Sequence, residues 1–516
     1  MKIDLSGEFR QALAVMEDGL DHVFITGKAG TGKSTLLAYF RETTKKEIVV
    51  LAPTGVAALN VQGQTIHSFF GFRPDVTVDK IVKVSRGGDL YGKLDAIVID
   101  EVSMLRADLM DCIDEFLRQN CDPAKPFGGK RLILIGDLYQ LPPVVSAHEE
   151  PIFREHYESP FFFSAHSIKN SRMELVELNK VYRQTETEFI DILNAIRNNT
   201  VSNDMIDVLN KRADPGFEPP EDEFYIWLTP YNKAAQEINS LQLAKLPGKE
   251  YSFDAQVMGV FDEKNYPVED PLVLKLGAQV MLLNNDPSGQ WVNGSMGRVT
   301  GIDMKNEIVE VDLHEGGTAE VEKFQWNIFR YEYDKTARSI RSTPVGFYTQ
   351  FPLRPAWAVT IHKSQGKTFD KAVIDMGRGA FSPGQTYVAL SRCRSMDGIV
   401  LKSPLRHSGI WSDFRVVQFM TGVRYGLSEE KMPLNEKQIL IKEAIKQGNT
   451  LEIVYLKPDD TKSSRWVTPE EIGEMDFRGK KFLGFRGFCH ERKESRTFRV
   501  DRILELKVIK TQEGNL

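Results

Sequence analysis

The stretch GKAGTGKS at residues 27–34 constrains the fold of this chain more than any other. The apolar run DHVFIT stands directly before it, and a helical pattern follows it. A strand that enters a glycine-rich loop and then a helix binds nucleotide phosphates, because backbone amides and the helix N-terminus face the anion. The sequence therefore predicts a nucleoside triphosphate site within an α/β domain. The loop alone does not say what the nucleotide drives.

Length and composition bound the class of protein. With 516 residues, 41% of them hydrophobic and 27% charged, the chain is expected to be globular, with about three or four domains. The net charge of -6 argues against a general nucleic-acid coat but permits a local basic groove. No signal-peptide core or 18-residue apolar run occurs, so we expect a cytoplasmic protein without a membrane partner.

The cysteines are few and widely separated. They form no CxxC pair, which argues against a zinc site and against a disulfide framework. They are Cys112, Cys121, Cys393 and Cys489.

Strand-like runs alternate with helical patterns twice along the chain, which predicts two parallel-sheet domains covered by helices. The runs of the first set are HVFIT, EIVVLAP, DAIVID and RLILIG. Those of the second set are FYIWLTP near 224–230, AQVMLL near 278–283, WAVTIH near 357–362, KAVIDM near 371–376 and TYVALS near 386–391.

Other segments depart from this rhythm. Between 290 and 350, short alternating strands and Gly-Gly turns predict a small β-barrel inserted in the second α/β domain. A loop or hairpin insertion is expected near 70–90. The polar segment 426–438 predicts a linker, and the slightly basic stretch 439–516 predicts one helix followed by short strands.

The phosphate loop contains the first candidate catalytic groups. Its glycines let backbone amides approach the phosphates, Lys33 would reach the β- and γ-phosphates, and the Ser34 hydroxyl would bind Mg²⁺. The loop residues expected to bind the nucleotide are Gly27, Ala29, Gly30, Thr31, Gly32, Lys33, Ser34 and Thr35.

Polar groups follow the next two strands of this domain. In DAIVIDEVSML, Asp100 would hold Mg²⁺ through water and Glu101 would orient and deprotonate the attacking water. A helix cap is the alternative for this acidic pair, and the upstream phosphate loop disfavours it. In LIGDLYQLPP, Asp137 and Gln140 lie past the strand, where Gln140 could sense the γ-phosphate. A purely structural turn remains open there.

Two arginines lie far from the loop in similar contexts, Arg183 in NKVYRQ and Arg392 in YVALSRCR. Arginine stabilises the charge that develops on a transferring γ-phosphoryl group. A surface salt bridge is the alternative for either residue.

In order, these stretches resemble helicases of superfamily one, type B, and most of all the PIF-one family, the relatives of RecD. The resemblance spans about residues 10–395. The matching stretches are GKAGTGKS, APTGVAALNVQGQTIHSFF (52–70), VIDEVSML (98–105), PFGGKRLILIGDLYQLPPV (126–144), LNKVYRQ (178–184), WLTPYNKAAQEIN (227–239), WAVTIHKSQGKTFD (357–370) and GQTYVALSRCR (384–394).

The resemblance implies two RecA-like domains and an ATP- and Mg²⁺-dependent DNA helicase that moves 5′→3′. Gln11 would read adenine, and Gln365 and Gly366 would face the nucleotide cleft. Arg183 and Arg392 would be finger arginines of the fourth and sixth motifs. The implied catalytic set is Lys33, Asp100, Glu101, Gln140, Arg183 and Arg392.

The same resemblance implies a path for single-stranded DNA. The first domain would contribute Thr54, Gly55, His67, Ser68 and Phe69, and the second would contribute Asn232, Thr360, His362 and Lys363. Hydroxyls, amides and backbone groups hold phosphates, and an aromatic ring can stack on a base. Phe69 as a core residue, and His67 and His362 as structural histidines, remain the alternatives.

The resemblance also sets domain boundaries. Domain 1A would span 1–185 with a wedge-bearing insertion 1B at about 70–88, and the wedge would lie within 72–78. Domain 2A would span 186–289 and 351–425, with an SH3-like insertion 2B at 290–350.

Residues 439–516 resemble a WYL domain, a small Sm-like β-barrel, on the stretches EIVYL, RWVTPEEI and KKFLGFRGFCHERKESRTFRVDRI. Of the name-giving triad, at 481–483, only Leu483 is kept. The residues that resemble the basic, nucleic-acid-binding face are Arg465, Arg486, Arg492, Arg496 and Arg499. Solvated arginines that balance Glu491 and Glu494 are the alternative.

The implied partners are single-stranded DNA and forked or tailed duplexes, extending to G-quadruplexes or RNA–DNA hybrids. We expect a bacterial protein that is monomeric in solution and associates with the nucleoid when it is on DNA. Two rival functions remain: an ATP switch that clamps DNA without unwinding it, and an RNA helicase. The second remains because contacts to the phosphate backbone do not distinguish ribose from deoxyribose.

Overall fold

The fold is described from a computed structural model of the chain. It describes residues 6–73, 75–84, 89–146, 149–169, 171–261, 263, 266–334, 339–377, 379–457, 462–477 and 479–509. Two compact units form: one holds residues up to 411 apart from 198–200, and the other holds those three residues and the chain from 412 onward. Among the described helices, none has the length and apolar character needed to cross a bilayer.

The first domain is built on a six-stranded parallel sheet, in the order β3-β2-β4-β5-β1-β6. Its inner strands are buried along almost their whole length, which is typical of a sheet covered on both faces. The strands are β1 (His22–Gly27), β2 (Ile48–Ala52), β3 (Gln64–Thr65), β4 (Ala96–Ile99), β5 (Arg131–Gly136) and β6 (Met173–Leu178).

Helices cover this sheet and begin with recognisable caps. Ser6 caps α1 and Thr54 caps α3, each accepting a backbone N–H bond at its side-chain oxygen. The helices are α1 (Gly7–Asp18), α2 (Lys33–Thr43), α3 (Gly55–Asn60), α4 (Ile66–Phe70), α5 (Asp89–Lys93), α6 (Ala107–Asn120), α7 (Glu150–His156) and α8 (His166–Lys169).

The insertion expected near 70–90 contains a 3₁₀ turn at Val78–Lys80 and no strand among its described residues. The Phe72 ring stacks on Phe70, with ring centroids 5.2 Å apart, and so packs against the domain. Residues 74 and 85–88 of the predicted insertion lie outside the described residues.

The second domain has a four-stranded parallel sheet, in the order β18-β7-β19-β20. Its strands are β7 (Ile226–Thr229), β18 (Ala358–Thr360), β19 (Ala372–Ile374) and β20 (Ile399–Leu401). Its helices are α9 (Thr187–Arg197), α10 (Asn203–Asn210), α11 (Asn232–Lys245) and α12 (Gln385–Leu390). The expected pair of parallel-sheet domains is therefore confirmed.

One strand prediction in this domain was wrong, because TYVALS forms the helix α12 and not a strand. All six residues of α12 are buried. A short helix that is buried on all sides shows no exposed polar face with period 3.6, so its sequence cannot be told from that of a buried strand.

An antiparallel insertion lies between β7 and β18, and it is larger than expected. The run AQVMLL was expected in the second α/β sheet, but β11 (Gln279–Leu282) pairs antiparallel with the strands on both sides of it. All four residues of β11 are buried, so alternation did not reveal its sheet. Insertion strands thus occur from Tyr251 to Pro355, where 290–350 was expected.

Three sheets make up this insertion. The five-stranded sheet has the order β14-β13-β12-β11-β17, and the smaller sheets are β15-β16-β9 and β10-β8. The remaining strands are β8 (Tyr251–Phe253), β9 (Gln256–Gly259), β10 (Leu272–Leu274), β12 (Met296–Asp303), β13 (Ile308–Leu313), β14 (Thr318–Val321), β15 (Phe324–Asp334), β16 (Ser339–Gln350) and β17 (Leu353–Pro355).

The C-terminal unit begins with two helices, α13 (Phe414–Lys431) and α14 (Leu434–Gln447). The linker expected at 426–438 was wrong: the segment is the end of α13, a short break at Pro433 and the start of α14. Proline fits there because it precedes the first turn. A five-stranded antiparallel sheet in the order β24-β23-β22-β21-β25 follows, as expected from a helix and short strands. Its strands are β21 (Thr450–Leu456), β22 (Lys462–Phe477), β23 (Lys480–Cys489), β24 (Glu494–Arg499) and β25 (Ile503–Ile509).

Candidate active site and nucleic-acid interface

The phosphate loop joins β1 to the start of α2, as its sequence predicted. Gly30 and Gly32 have φ of 79° and 83°, a region that favours glycine. A side chain at Gly30 would bring its Cβ within 2.6 Å of the Arg183 Cβ, so the loop also needs glycine for close approach. The Lys33 ammonium donates to the carbonyl oxygens of Gly27 and Lys28 at 2.8 and 3.0 Å. Lys33 is thus held across the loop.

The acidic pair lies directly after β4, where a parallel strand presents its carboxyl end. Burial raises the pKa of Asp100 to about 6 and that of Glu101 to about 7, and the nearby Lys33 charge opposes both shifts. Glu101 has φ 50° and ψ 42°, which is unusual for a residue with a side chain. Such backbone strain clusters at functional sites. Two carboxyl groups and an ammonium group therefore share one buried site.

Asp137, after β5, forms an ion pair that the sequence did not reveal. Its Oδ1 accepts from Arg197 Nη2 at 2.9 Å, and the Arg197 guanidinium lies 4.0 Å from the Tyr139 ring centroid. Burial acts to raise the pKa of Asp137, but Arg197 and Lys33 hold it below its usual value. Arg197 is the last residue of α9 in the second domain and belongs to no motif, so no sequence signal pointed to it.

Gln140 connects the two α/β domains. Its Nε2 donates to Asp137 Oδ2, and its Oε1 accepts from Gln365 Nε2, each at 3.3 Å. Gln365 lies in the second domain, after β18. An amide that bonds both domains can respond to a change on either side, which fits the sensor role expected of Gln140.

The two candidate arginines lie together. Arg183 Nη1 donates to the Ser391 carbonyl at 3.0 Å, and Arg392 Nε donates to the Val388 carbonyl at 2.9 Å. Burial and the Arg183 charge lower the pKa of Arg392 to about 9. Within the described part of the chain, neither guanidinium forms an ion pair with a carboxylate. A buried cation at Arg392 and a half-buried one at Arg183, both without such a partner, favour the binding of an anion.

Tyr387 makes a second contact that the sequence did not reveal. The Ala29 N–H in the phosphate loop donates to the Tyr387 hydroxyl at 2.9 Å. Tyr387 lies on α12, the helix whose sequence predicts a strand. The second domain therefore contacts the phosphate loop directly.

The other predicted nucleotide contacts surround the loop. Gln11 is exposed on α1, and Phe9 of the same helix lies 3.1 Å from the position of a Cβ at Gly32. Ser34 and Thr35 are exposed in the first turn of α2, while Thr31 is buried and donates to the Lys28 carbonyl at 3.0 Å. The predicted contacts thus lie in or beside one cleft.

The first domain's DNA candidates lie around a groove of about 1420 Å³, lined by Gly55, His67 and Ser68. Thr54 is engaged as the cap of α3. Acidic side chains also line this groove, and they disfavour a phosphate backbone there: Asp75, Asp79, Asp108, Asp111, Asp114, Glu115 and Glu149.

The stacking role expected of Phe69 does not fit the structure, because only 6% of Phe69 is exposed. Its ring packs edge-on against Phe70, Tyr91 and Tyr331, with centroids 4.9 to 5.9 Å away. The packing alternative stated for this residue is therefore the one that the geometry favours.

The second domain's DNA candidates follow two adjacent strands. Asn232 follows β7 and is exposed, and Lys363 after β18 is also exposed. Thr360 is only 4% exposed, and its Oγ1 accepts from the Lys363 N–H at 3.3 Å, so its hydroxyl supports the local turn. Burial lowers the pKa of the half-buried His362. Two of the four side chains are thus open to a ligand.

In the C-terminal unit, three of the five candidate arginines pair with carboxylates. Arg486 Nε lies 3.1 Å from Glu471, Arg496 Nε lies 2.6 Å from Glu494, and Arg499 Nε lies 3.0 Å from Asp501. Arg492 is exposed, and Arg465 donates to the Ser464 carbonyl at 3.3 Å. The balanced-charge alternative is therefore favoured for Arg486, Arg496 and Arg499.

Comparison with known proteins matches both parts of the chain. A family model described as PIF1-like helicase matches residues 5–206, and one described as WYL domain matches residues 439–508. The ATP-dependent DNA helicase Pif1 of Bdellovibrio bacteriovorus is 34% identical over 412 residues, which cover 78% of this chain and 88% of that protein.

Solved structures are also similar. Bacteroides sp Pif1 in complex with ADP-AlF4 has a TM-score of 0.76 and 37% identity, covering 81% of this chain and 96% of that chain. Bacteroides Pif1 bound to ssDNA has the same identity and coverage and a TM-score of 0.59. The chain is therefore similar, over most of its length, to proteins that carry the Pif1 name.

Proposed function

This chain belongs to the PIF1-like helicase family, and from that premise we infer that it is an ATP-dependent DNA helicase. We propose that it moves 5′→3′ along single-stranded DNA and separates duplexes. ATP would be hydrolysed in the cleft between the two RecA-like domains. The C-terminal unit is a WYL domain by its family match.

One observation carries this proposal: groups of the second domain meet the phosphate loop and its sensor. Tyr387 contacts Ala29, and Gln365 contacts Gln140. Buried Arg392 and half-buried Arg183 lie beside each other, and neither forms an ion pair with a carboxylate among the described residues. A site divided in this way changes when the domains move, which couples hydrolysis to motion.

In the proposed hydrolysis, Glu101 accepts a proton from the water that attacks the γ-phosphorus. The bond between that phosphorus and the β–γ bridging oxygen breaks, and ADP and phosphate leave. Lys33, Arg183 and Arg392 stabilise the charge on the phosphoryl oxygens. Gln140 orients the water, and Gln11 reads adenine.

The residues present fit a magnesium ion, because a buried carboxylate at Asp100 and the Ser34 hydroxyl are oxygen donors of the kind that Mg²⁺ prefers. Asp100 and Ser34 would hold it. When bound, Mg²⁺ neutralises charge on the β- and γ-phosphates.

Strand displacement tests the direction. We expect the full chain with ATP to unwind a duplex that carries a 5′ single-stranded tail and to leave the same duplex with a 3′ tail intact. The physical reason is that a strand held across both domains is moved one way by each opening and closing of the cleft. The measurement is release of a labelled strand, with a blunt duplex as the control. Unwinding of the 3′-tailed duplex alone would contradict the proposed polarity.

We extend the proposed substrates to forks, G-quadruplexes and RNA–DNA hybrids, and we propose that the free protein is a monomer that associates with the nucleoid when it is bound to DNA. Unwinding rates on these substrates at equal tail length rank them. Sedimentation of the free chain and imaging of a labelled chain in cells check the other two statements.

We further propose that Arg465 and Arg492 of the WYL domain contact DNA phosphates, since neither forms an ion pair with a carboxylate within the described part of the C-terminal unit. Replacing both with alanine is expected to lower the affinity for single-stranded DNA and to reduce the dependence of this affinity on salt. The reason is that binding releases fewer counterions when fewer phosphates are contacted. The control is Lys481→Ala, which removes a lysine paired with Glu474 at 2.7 Å. Unchanged affinity and salt slope in the double variant would refute the contact.

A further inference from the structure

Three aromatic residues lie at one edge of the second parallel sheet. Tyr231 follows β7, His362 follows β18, and Phe381 is in the segment after β19. These strands are neighbours in the order β18-β7-β19. Parallel strands present their carboxyl ends at the same edge, so the three rings converge although they are far apart in sequence.

The rings form one layer. The Tyr231 and Phe381 centroids are 5.4 Å apart with planes inclined by 26°. Phe381 also stacks with His362: the centroids of these two rings are 6.4 Å apart, and their planes are inclined by 16°. Nearly parallel rings from three separate elements thus form a continuous aromatic layer in which each ring stacks on its neighbour.

The layer is open to solvent at two of its three members. Phe381 is 53% exposed and Tyr231 is 47% exposed, although burying a ring of this size would be favourable. Burial lowers the pKa of His362, so its ring is mostly uncharged at neutral pH and can stack without a charge in the layer. Exposed rings that are clustered in this way, and not scattered singly, indicate a binding site.

The position of Phe381 is fixed by its own backbone. Its N–H donates to Gln385 Oε1 at 3.1 Å, and Gln385 is fully buried as the first residue of α12. In the same segment, the Gly377 N–H donates to Asp375 Oδ1 at 2.9 Å. A ring held in advance of binding loses little conformational entropy when a ligand stacks on it.

We propose that Tyr231 and Phe381 form a base-stacking platform for single-stranded DNA, so that the second domain grips the bases as well as the backbone. The platform borders two exposed residues expected to contact DNA, Asn232 directly after Tyr231 and Lys363 directly after His362. Every base has a π-face, so such a platform tolerates any sequence. This inference rests on the proposed helicase function.

The platform is joined to the ATP site by a short path. Phe381 is bonded to Gln385, and two residues further along α12 the Tyr387 hydroxyl contacts Ala29 of the phosphate loop. A base that stacks on Phe381 therefore acts on the helix that touches the nucleotide site. The share of the ATPase stimulation that comes from the DNA bases therefore depends on Phe381.

The test compares an oligothymidylate with an abasic oligonucleotide of equal length, which keeps the phosphates and removes the bases. The unaltered protein is expected to bind the first more tightly. Phe381→Ala and Tyr231→Ala are each expected to weaken binding of the oligothymidylate about tenfold, because stacking is worth about 1–3 kcal/mol per base. Binding of the abasic strand should change less than about twofold.

Controls separate stacking from folding. Leu241→Ala removes an exposed apolar side chain, 64% exposed on α11, and should leave both affinities unchanged. Phe381→Tyr and Tyr231→Phe keep the rings and should preserve the preference for bases. The same pattern is expected when the two strands are compared in their stimulation of the ATPase.

Two results would overturn the platform: equal loss of affinity for both strands, or no loss for either. An unaltered protein that hydrolyses ATP and binds both strands equally would also overturn it while leaving the helicase function in place. An unaltered protein that binds neither strand would instead remove the proposed helicase function.

Discussion

Replacing Arg392 with alanine is expected to reduce the turnover number for ATP by about 10³-fold or more, while ATP binding changes only a few-fold. Charge builds on the γ-phosphoryl oxygens in the transition state, and an arginine in this role contributes about 10³–10⁵ to the rate. Arg392 is 1% exposed and its guanidinium lies with that of Arg183, so water cannot replace it. Phosphate release and nucleotide binding, measured separately, check the result.

The matched control is Arg394→Ala, two residues further on. The Arg394 side chain is 54% exposed and lies 3.4 Å from Asp370 and 3.6 Å from Glu315, so its removal should leave turnover within about twofold. Because Arg392 also donates to backbone carbonyls, thermal melting should accompany the assay, and Arg183→Ala provides a second test. Normal turnover in Arg392→Ala and Arg183→Ala, or loss of ATP binding in folded variants, would contradict the role.

Replacing Glu101 with glutamine is expected to lower turnover by about 10²–10⁴-fold, because glutamine cannot accept the proton of the attacking water. The change keeps the size of the side chain, and it leaves untouched Lys33, the residue proposed to hold the phosphates. ATP binding and binding of single-stranded DNA should therefore survive. Stopped-flow phosphate release and fluorescence anisotropy measure the two properties.

Glu42→Gln on α2 is the control, since Glu42 is exposed and the same loss of charge there should not affect turnover. The αL backbone at Glu101 accepts glutamine no less readily than glutamate, so a large fall in melting temperature is not expected. Turnover within tenfold of the unaltered protein would show that another group takes the proton.

The parts of the fold that local sequence could predict were those marked by strand ends and turns. The phosphate loop follows β1, the acidic pair follows β4, and Asp137 follows β5, as their sequences indicated. These positions could be predicted because consecutive residues form the strand, the loop at its end and the helix that follows. The two parallel-sheet domains and the C-terminal strands were predictable for the same reason.

Prediction failed where a short buried segment had no periodicity. α12 and β11 are buried throughout, so neither the helical structure of one nor the antiparallel pairing of the other was visible. The prediction for the segment near Pro433 was wrong for the opposite reason, because the polar faces of α13 and α14 resemble a linker. In each case the deciding contacts come from outside the segment.

By itself, the sequence determined which groups stand at the strand ends of this protein. It therefore also determined that the protein carries a nucleotide site. Only the tertiary structure decided what those groups meet: Arg197 on Asp137, Tyr387 on Ala29, and Tyr231 beside Phe381. The physical reason is separation along the chain. Partners from 60 to 358 residues apart are brought together by the packing of whole domains, and no local pattern of residues encodes that packing.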